Sequence, residues 1–327
     1  MTKNLLSHGG DYKMSMNNKI YYYLDQVEKL LNGEFVPPVT VEIDPSNKCM
    51  LKCNFCMFEN YRDCNNQILP WSVYQTLLGD LKDLGTKSIT FTGGGEPLTH
   101  PQFNQMVGAA LISGFQLGLV TNGVNLEKLE NPKNFLFIRV SLDAHNEDDY
   151  FKVKGGAYFR KVIQNIEKMV KAGATVGISY VVGPDNNKDL YKAEELATKL
   201  GVAYIQIKPA YLNDKRKIFT DFEYPDGRPT IETKRFLPTD TTPCSIAALV
   251  GIIGADSNVY YCCQHRGVDK FKLGSLKEES FTSLWKKRLA MKPNISMCPM
   301  CRYMNYTKAY KKILEEGDLF FQHRYFL

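Results

Sequence analysis

Short apolar runs and longer amphipathic stretches take turns along most of this chain. Residues 39–44, 88–92, 117–121, 137–142, 176–182 and 204–208 are rich in β-branched and apolar side chains over the length of a strand. Residues 71–84, 101–113, 158–171 and 190–200 instead repeat their apolar positions at helical spacing. Val162, Ile163, Ile166, Met169 and Val170 share one face of the third of these. Pro70 leads into the first, and Gly85 ends it. Ahead of the first strand, Leu24, Val27, Leu30 and Leu31 mark a helix over 20–31, stopped at Asn32-Gly33, and Pro37-Pro38 forces an extended entry. Strands alternating with helices imply βαβ units and a parallel sheet. Six units suit a partial (βα)6 barrel of TIM type; a doubly wound sheet has the same local rhythm. The rhythm stops near residue 235. The division expected is a helical extension over 1–38, the barrel over 39–235, a small α+β module over 236–305, and a tail over 306–327 with a helix near 306–314.

Composition narrows the class. Hydrophobic residues make up 44% and charged residues 23%, as in an ordinary globular protein. No apolar run approaches the roughly 20 residues a membrane span needs. The first residues lack the apolar core of a signal peptide, so the expected location is cytoplasmic. The net charge of +6 comes from scattered lysines without an arginine-rich arm, which does not point to nucleic acid. The nine cysteines fall into groups. In a reducing compartment that grouping reads as metal binding rather than disulfides.

The densest group is Cys49, Cys53 and Cys56, just after the first strand, with Phe55 before the last cysteine. A zinc site would need a fourth ligand, and no histidine stands nearby before His100. A four-iron cluster normally takes four cysteines, so three leave one iron open. This spacing resembles the signature of the radical S-adenosylmethionine (SAM) superfamily. The resemblance implies that Cys49, Cys53 and Cys56 hold a [4Fe–4S] cluster whose open iron is chelated by SAM. Reductive cleavage of SAM would then give a 5′-deoxyadenosyl radical that abstracts a hydrogen atom from substrate. An external one-electron donor such as flavodoxin or ferredoxin is implied as partner.

Other strand ends fit the same resemblance, because parallel barrels carry their chemistry on the loops after the strands. Gly93-Gly94-Gly95-Glu96-Pro97 is similar to the family's glycine edge, which implies that Gly94, Gly95 and Glu96 hold the SAM amino group. Ser141 and Asp143 match a segment that contacts SAM in relatives, and Thr121, Asn122 and Val181 are further candidates. Lys152 and Lys154 stand where relatives place a base for the SAM carboxylate; a solvated helix-flanking charge is the alternative for each.

The C-terminal cysteines resemble a SPASM/Twitch module, the auxiliary-cluster extension of this superfamily. Cys244, Cys262, Cys298 and Cys301 suit one further [4Fe–4S] cluster, with Cys263 as the alternative to Cys262 and a structural zinc as the alternative metal. Ser257 occupies a position where the module usually has glycine. The function expected is hydrogen abstraction from a polar small molecule, a sugar or aminocyclitol, ending in a carbonyl. An epimerase using Cys64 or Cys263 as hydrogen donor, a peptide-modifying maturase, and a non-catalytic iron–sulfur or zinc protein are the alternatives. Arg139, Tyr180, Gln206 and Lys208 are candidates to face the substrate.

Overall fold

The computed structural model describes residues 20, 22–62, 66–188, 190–211, 219, 244 and 246–291. The elements follow as α1 (Leu24–Leu31), β1 (Thr40–Ile43), α2 (Glu59–Arg62), α3 (Trp71–Asp83), β2 (Ser88–Phe91), α4 (Phe103–Ile112), β3 (Gln116–Thr121) and β4 (Phe135–Ser141). Next come α5 (Glu147–Lys154), α6 (Phe159–Lys171), β5 (Val176–Val182), α7 (Leu190–Lys199) and β6 (Tyr204–Pro209). The chain then forms β7 (Val250–Ile253), β8 (Asn258–Tyr260), β9 (Lys272–Ser275) and α8 (Phe281–Lys287). Among the described residues, no helix is long and apolar enough to cross a membrane.

One sheet runs in the order β6-β5-β4-β3-β2-β1-β7-β8-β9. The expected parallel βα architecture is present over β1 to β6, consistent with a partial barrel. The strand after residue 246 does not start a sheet of its own. β7 pairs in parallel with β1, Val41 opposite Gly251, and β8 and β9 continue antiparallel from it. A Cβ at residue 251 would come 2.7 Å from a methyl of Val41, so glycine permits this close pairing.

Alternation along the strands separates two faces. Val41, Ile43, Ile89, Phe91, Leu117, Leu119, Ile138 and Val140 line up across the register. They form one buried cluster with Tyr74 and Leu77 of α3, Met106 of α4, and Val162 and Ile166 of α6. Tyr180 belongs to this face, between Ile178 and Val182, and is buried there with its hydroxyl toward the Asn186 carbonyl. It does not share the face of Arg139, because side chains an odd number of positions from the register partner point the other way. The opposite face carries Glu42, Thr90, Arg139, Ser141, Ser179, Gln206 and Lys208. Arg139 Nη1 donates to Gln206 Oε1 at 3.2 Å.

Candidate functional site

The site lies where the strands end. The cysteine loop after β1 is fixed by its backbone: Lys52 N–H donates to the Lys154 carbonyl at 2.9 Å and Asn54 N–H to the Val153 carbonyl at 3.0 Å. Gly155 caps α5 in the left-handed region, φ +64°, and a Cβ there would come 2.8 Å from the Lys52 carbonyl. The loop therefore rests on the end of α5, a helix that the hydrophobic pattern does not reveal. Cys49, Cys53 and Cys56 are all half-buried. Burial pushes the Cys53 thiol up to about 11, against the pull of the Lys154 ammonium. Among the described residues no three thiol, imidazole or carboxylate groups cluster tightly enough for a single ion. A four-iron cluster is wider, with one thiolate to each of three irons, and three thiols on one anchored loop suit that donor set. Bound iron would deprotonate the thiols outright.

The glycine edge is buttoned onto this loop. Glu96 N–H donates to the Lys48 carbonyl at 2.8 Å, and Gly94 N–H to Asp44 Oδ2 at 3.1 Å. A Cβ at residue 95 would fall 2.4 Å from the Asn47 carbonyl carbon, and one at residue 94 would fall 2.2 Å from the Tyr61 ring. These glycines are thus required by the chain's own packing. The Glu96 side chain is buried and accepts from Thr121 Oγ1 at 2.7 Å, Asn122 N–H at 2.7 Å and Leu98 N–H at 3.2 Å. Burial raises its pKa, and these three bonds oppose the rise. Its carboxylate braces β2 against β3, and what it leaves for a ligand is the backbone of the edge. Asn122 Nδ2 lies 3.6 Å from Cys49 Sγ and 3.1 Å from Met50 Sδ, so Asn122 meets the cysteine loop, while Thr121 bonds to Glu96.

Asp143 is a second hub, at φ +58° and fully buried. Its Oδ1 accepts from Val181 N–H at 2.6 Å, and its Oδ2 accepts from Ser141 Oγ at 3.2 Å and pairs with Lys154. Lys154 is buried, with its ammonium 5.8 Å from the Phe55 ring centroid. Burial would lower the Lys154 pKa, but Asp143 and Cys53 outweigh it and the net shift is upward. The solvated reading therefore fails for Lys154, whereas Lys152 is exposed on α5.

A third cluster is absent from the sequence signals. Arg266, between β8 and β9, is buried against the carboxylates of Glu42 in β1 and of Asp44 just after it: Nε lies 2.7 Å from Asp44 Oδ2 and Nη2 lies 3.3 Å from Glu42 Oε2. Its guanidinium carbon is 5.1 Å from the Phe58 ring centroid. Tyr61 packs against Gly94, Gly254 and Gly267, and its hydroxyl reaches Asp256 at 3.4 Å. Burial raises the Asp44 carboxyl to about 7 despite Arg266 and the Gly94 N–H. The one local signal for this cluster is the pair of acidic residues within an otherwise apolar strand.

Of the C-terminal candidates, Cys244, Cys262 and Cys263 are described. Cys262 directly follows the strand and Tyr261, as the pattern predicts, and Cys263 is buried against Ile252 and Tyr260. The Cys262 thiol is pushed up by its hydrogen bond with Cys263 and then by burial. Ser257 sits at φ +67°, in the left-handed region that favours glycine. Cys64, Cys298, Cys301 and the tail over 306–327 lie outside the described residues.

A cysteine loop, a glycine edge and a buried Asp–Lys pair thus meet at the strand ends of a parallel βα sheet. Residues 43–197 match the family described as the Radical SAM superfamily, so this part of the chain is a radical SAM domain. A probable GTP 3′,8-cyclase of Saccharolobus islandicus is 26% identical over 260 residues, covering 74% of this chain and 82% of that protein. An S-adenosylmethionine-dependent nucleotide dehydratase of Flammeovirga pacifica is 31% identical over 182 residues, covering 50% of this chain and 60% of that protein. Two solved structures share the fold. Streptococcus suis SuiB superposes with a TM-score of 0.60 at 16% identity, over 84% of this chain and 73% of SuiB. Native anSMEcpe with bound AdoMet gives 0.59 at 17%, over 85% of this chain and 96% of that one.

Proposed function

We propose that this radical SAM enzyme removes a hydrogen atom from a sugar carbon of a nucleotide. The observation that carries the substrate class is that both relatives above are named for nucleotide chemistry. These names point away from the free sugar or aminocyclitol expected from the sequence and toward a nucleotide. SuiB and anSMEcpe, at 16% and 17% identity, speak to the fold alone. When bound, SAM and the iron–sulfur centres would supply the hydrogen-atom acceptor and a place for the substrate's electron, and with the hydroxyl proton lost to solvent the expected product is a carbonyl. Cys49, Cys53 and Cys56 hold the first centre, and Cys244, Cys262, Cys298 and Cys301 hold the second. The backbone of Gly94 and Gly95 takes the SAM amino group, and Lys154, steadied by Asp143, faces its carboxylate. Arg139 and Lys208, on the polar face beside Gln206, supply positive charge for a phosphate. Flavodoxin or ferredoxin is the proposed electron donor.

The test is anaerobic incubation of the reduced protein with SAM and nucleotides deuterated in the sugar. Deuterium is expected in 5′-deoxyadenosine. If only free sugars, aminocyclitols or peptides stimulate its formation, the nucleotide reading fails. A second run in D2O examines the ending: oxidation leaves no solvent deuterium at the reacting carbon. One non-exchangeable deuterium would instead identify an epimerase, with Cys263 or Cys64 returning the hydrogen.

A further inference from the structure

Asp143 occupies the left-handed region, at φ +58°, a conformation that costs a non-glycine residue and persists only where its surroundings hold it. Asn186, a buried residue of the turn that follows β5, holds it here. Its Nδ2 donates to the Asp143 carbonyl at 2.7 Å and to the Val181 carbonyl at 2.8 Å. Its Oδ1 accepts from Gly183 N–H at 2.7 Å. A carboxamide has two N–H donors and one carbonyl oxygen, so each of these groups is in use. The ring closes through Asp143 itself, whose Oδ1 accepts from Val181 N–H at 2.6 Å. One side chain thus clamps the end of β4 to the end of β5 through three peptide groups.

The other carboxylate oxygen of Asp143 pairs with Lys154. That ammonium lies 5.8 Å from the ring of Phe55, which stands between Cys53 and Cys56. The Lys154 carbonyl accepts from Lys52 N–H of the same loop. The residues present therefore fit a carboxylate ligand beside the cysteines: a buried cation, tied by its backbone to the loop and by its head to Asp143. Asp143 can fix that head only while its own backbone is fixed. Relaxed to the negative φ usual for an L-residue, its carboxylate would leave Val181 N–H and swing away from Lys154. Asn186 prevents this, and aspartate could not replace it, because an acceptor would then face two carbonyls.

We infer that Asn186 is a positioning residue for SAM: by holding Asp143 in its left-handed conformation, it fixes the Lys154 ammonium for the SAM carboxylate. This rests on the role of Lys154 proposed above, and the experiment separates the two. Equilibrium dialysis of the anaerobically reconstituted protein compares SAM with decarboxylated SAM, which keeps the adenosine, sulfonium and amine. Asn186→Ala is expected to weaken SAM by about tenfold or more, the scale of one bond to a charged group, and to bind the decarboxylated compound as the unaltered protein does. Equal loss for both ligands would make Asn186 a general support of the fold, and no loss for either would make it irrelevant to the site; each overturns the inference. Lys154→Gln keeps a donor toward Asp143 but drops the charge. If it binds SAM undiminished, the reading of Lys154 itself fails, whatever Asn186 does. With Lys154→Gln in place, Asn186→Ala is expected to cost little more, since the two act in one chain; a full further loss would overturn the inference. Should Asn186→Ala fail to take up iron, hydrogen exchange of the unaltered protein decides. By reciprocity, a ligand that needs the clamp also tightens it. The amides of Val181 and Gly183 are expected to exchange more slowly with SAM than with the decarboxylated compound, and equal protection would overturn the inference.

Discussion

Glu96 shows what a single residue does in this site. Its two carboxylate oxygens accept three donors from two different strand ends while the side chain is buried. Thr121 ends β3 and Asn122 follows it, so the carboxylate fixes the spacing between the glycine edge and the loop that touches Cys49. Replacing Glu96 by Gln keeps the shape but exchanges one acceptor for a donor. The amide nitrogen can face the Thr121 hydroxyl, which accepts as well as donates, but it cannot face the Asn122 N–H. The bond from Leu98 N–H goes to the same oxygen as that of Thr121 and is lost, because an amide nitrogen cannot accept. Glu96→Gln is expected to cost about 1–3 kcal/mol, the range for leaving a buried polar group unsatisfied. Chemical denaturation of the anaerobic protein measures that, and SAM affinity is expected to fall with it. Unchanged stability and affinity would show that the edge holds its shape without this brace. The sequence makes Glu96 visible through its motif. Its partners are visible only as polar residues at a strand end, because the hydrogen bonds join positions 25 and 26 residues away.

At the scale of elements, the six strands and their main helices can be read from alternation and helical spacing, since each buries one face. α5 escapes that reading because three acidic residues open it and only Tyr150, Val153 and Lys154 are buried. Its caps, Asn146 bonded to Asp149 N–H and the left-handed Gly155, are the signals that mark it. The join between β1 and the β8–β9 loop is also hidden, as Glu42 and Arg266 are 224 residues apart. That join makes the fold pH-dependent. Asp44 rises from 3.8 to about 7 in the folded protein. Folding therefore takes up a proton between those values; the contribution is fully present below about 4 and is lost as pH rises through about 7. Asp44→Asn removes this contribution. Melting temperatures measured from pH 5 to 8 are expected to show the unaltered protein losing ground to Asp44→Asn as pH rises, with the difference levelling off above 7. A gain with rising pH would mean that Arg266 depresses the carboxyl instead.

For the whole molecule, the expected boundary near residue 235 is the least legible feature. Composition and the end of the βα rhythm suggest a separate module, yet β7 is the parallel neighbour of β1 in the same sheet. Local pattern cannot show this, because an apolar strand reads alike whichever edge it joins. α8 strengthens the union: Trp285 Nε1 donates to the Val36 carbonyl at 3.0 Å, and Phe281 N–H to Asp80 Oδ2 at 2.6 Å. Phe281, Leu284 and Trp285 are buried in the same cluster as the β1–β2 core. A chain ending at residue 235 would lose these, expose the β1 edge, and leave Glu42 and Asp44 buried without Arg266. Breaking a buried pair by removing one partner alone costs about 3–5 kcal/mol. The loss of aromatic burial adds to that, against a total stability of about 5–15 kcal/mol for a typical domain. The truncated chain is therefore expected to be aggregated or to lack fixed tertiary packing, seen as a void-volume peak in gel filtration and a lost near-ultraviolet circular dichroism signal. Restoring only residues 246–291 on a linker, without Cys298 and Cys301, should recover the packing. That would separate the structural role of β7–α8 from any role in holding iron. A truncated chain that stays monomeric and melts cooperatively would establish the barrel as an independent unit and make the shared sheet dispensable for its folding.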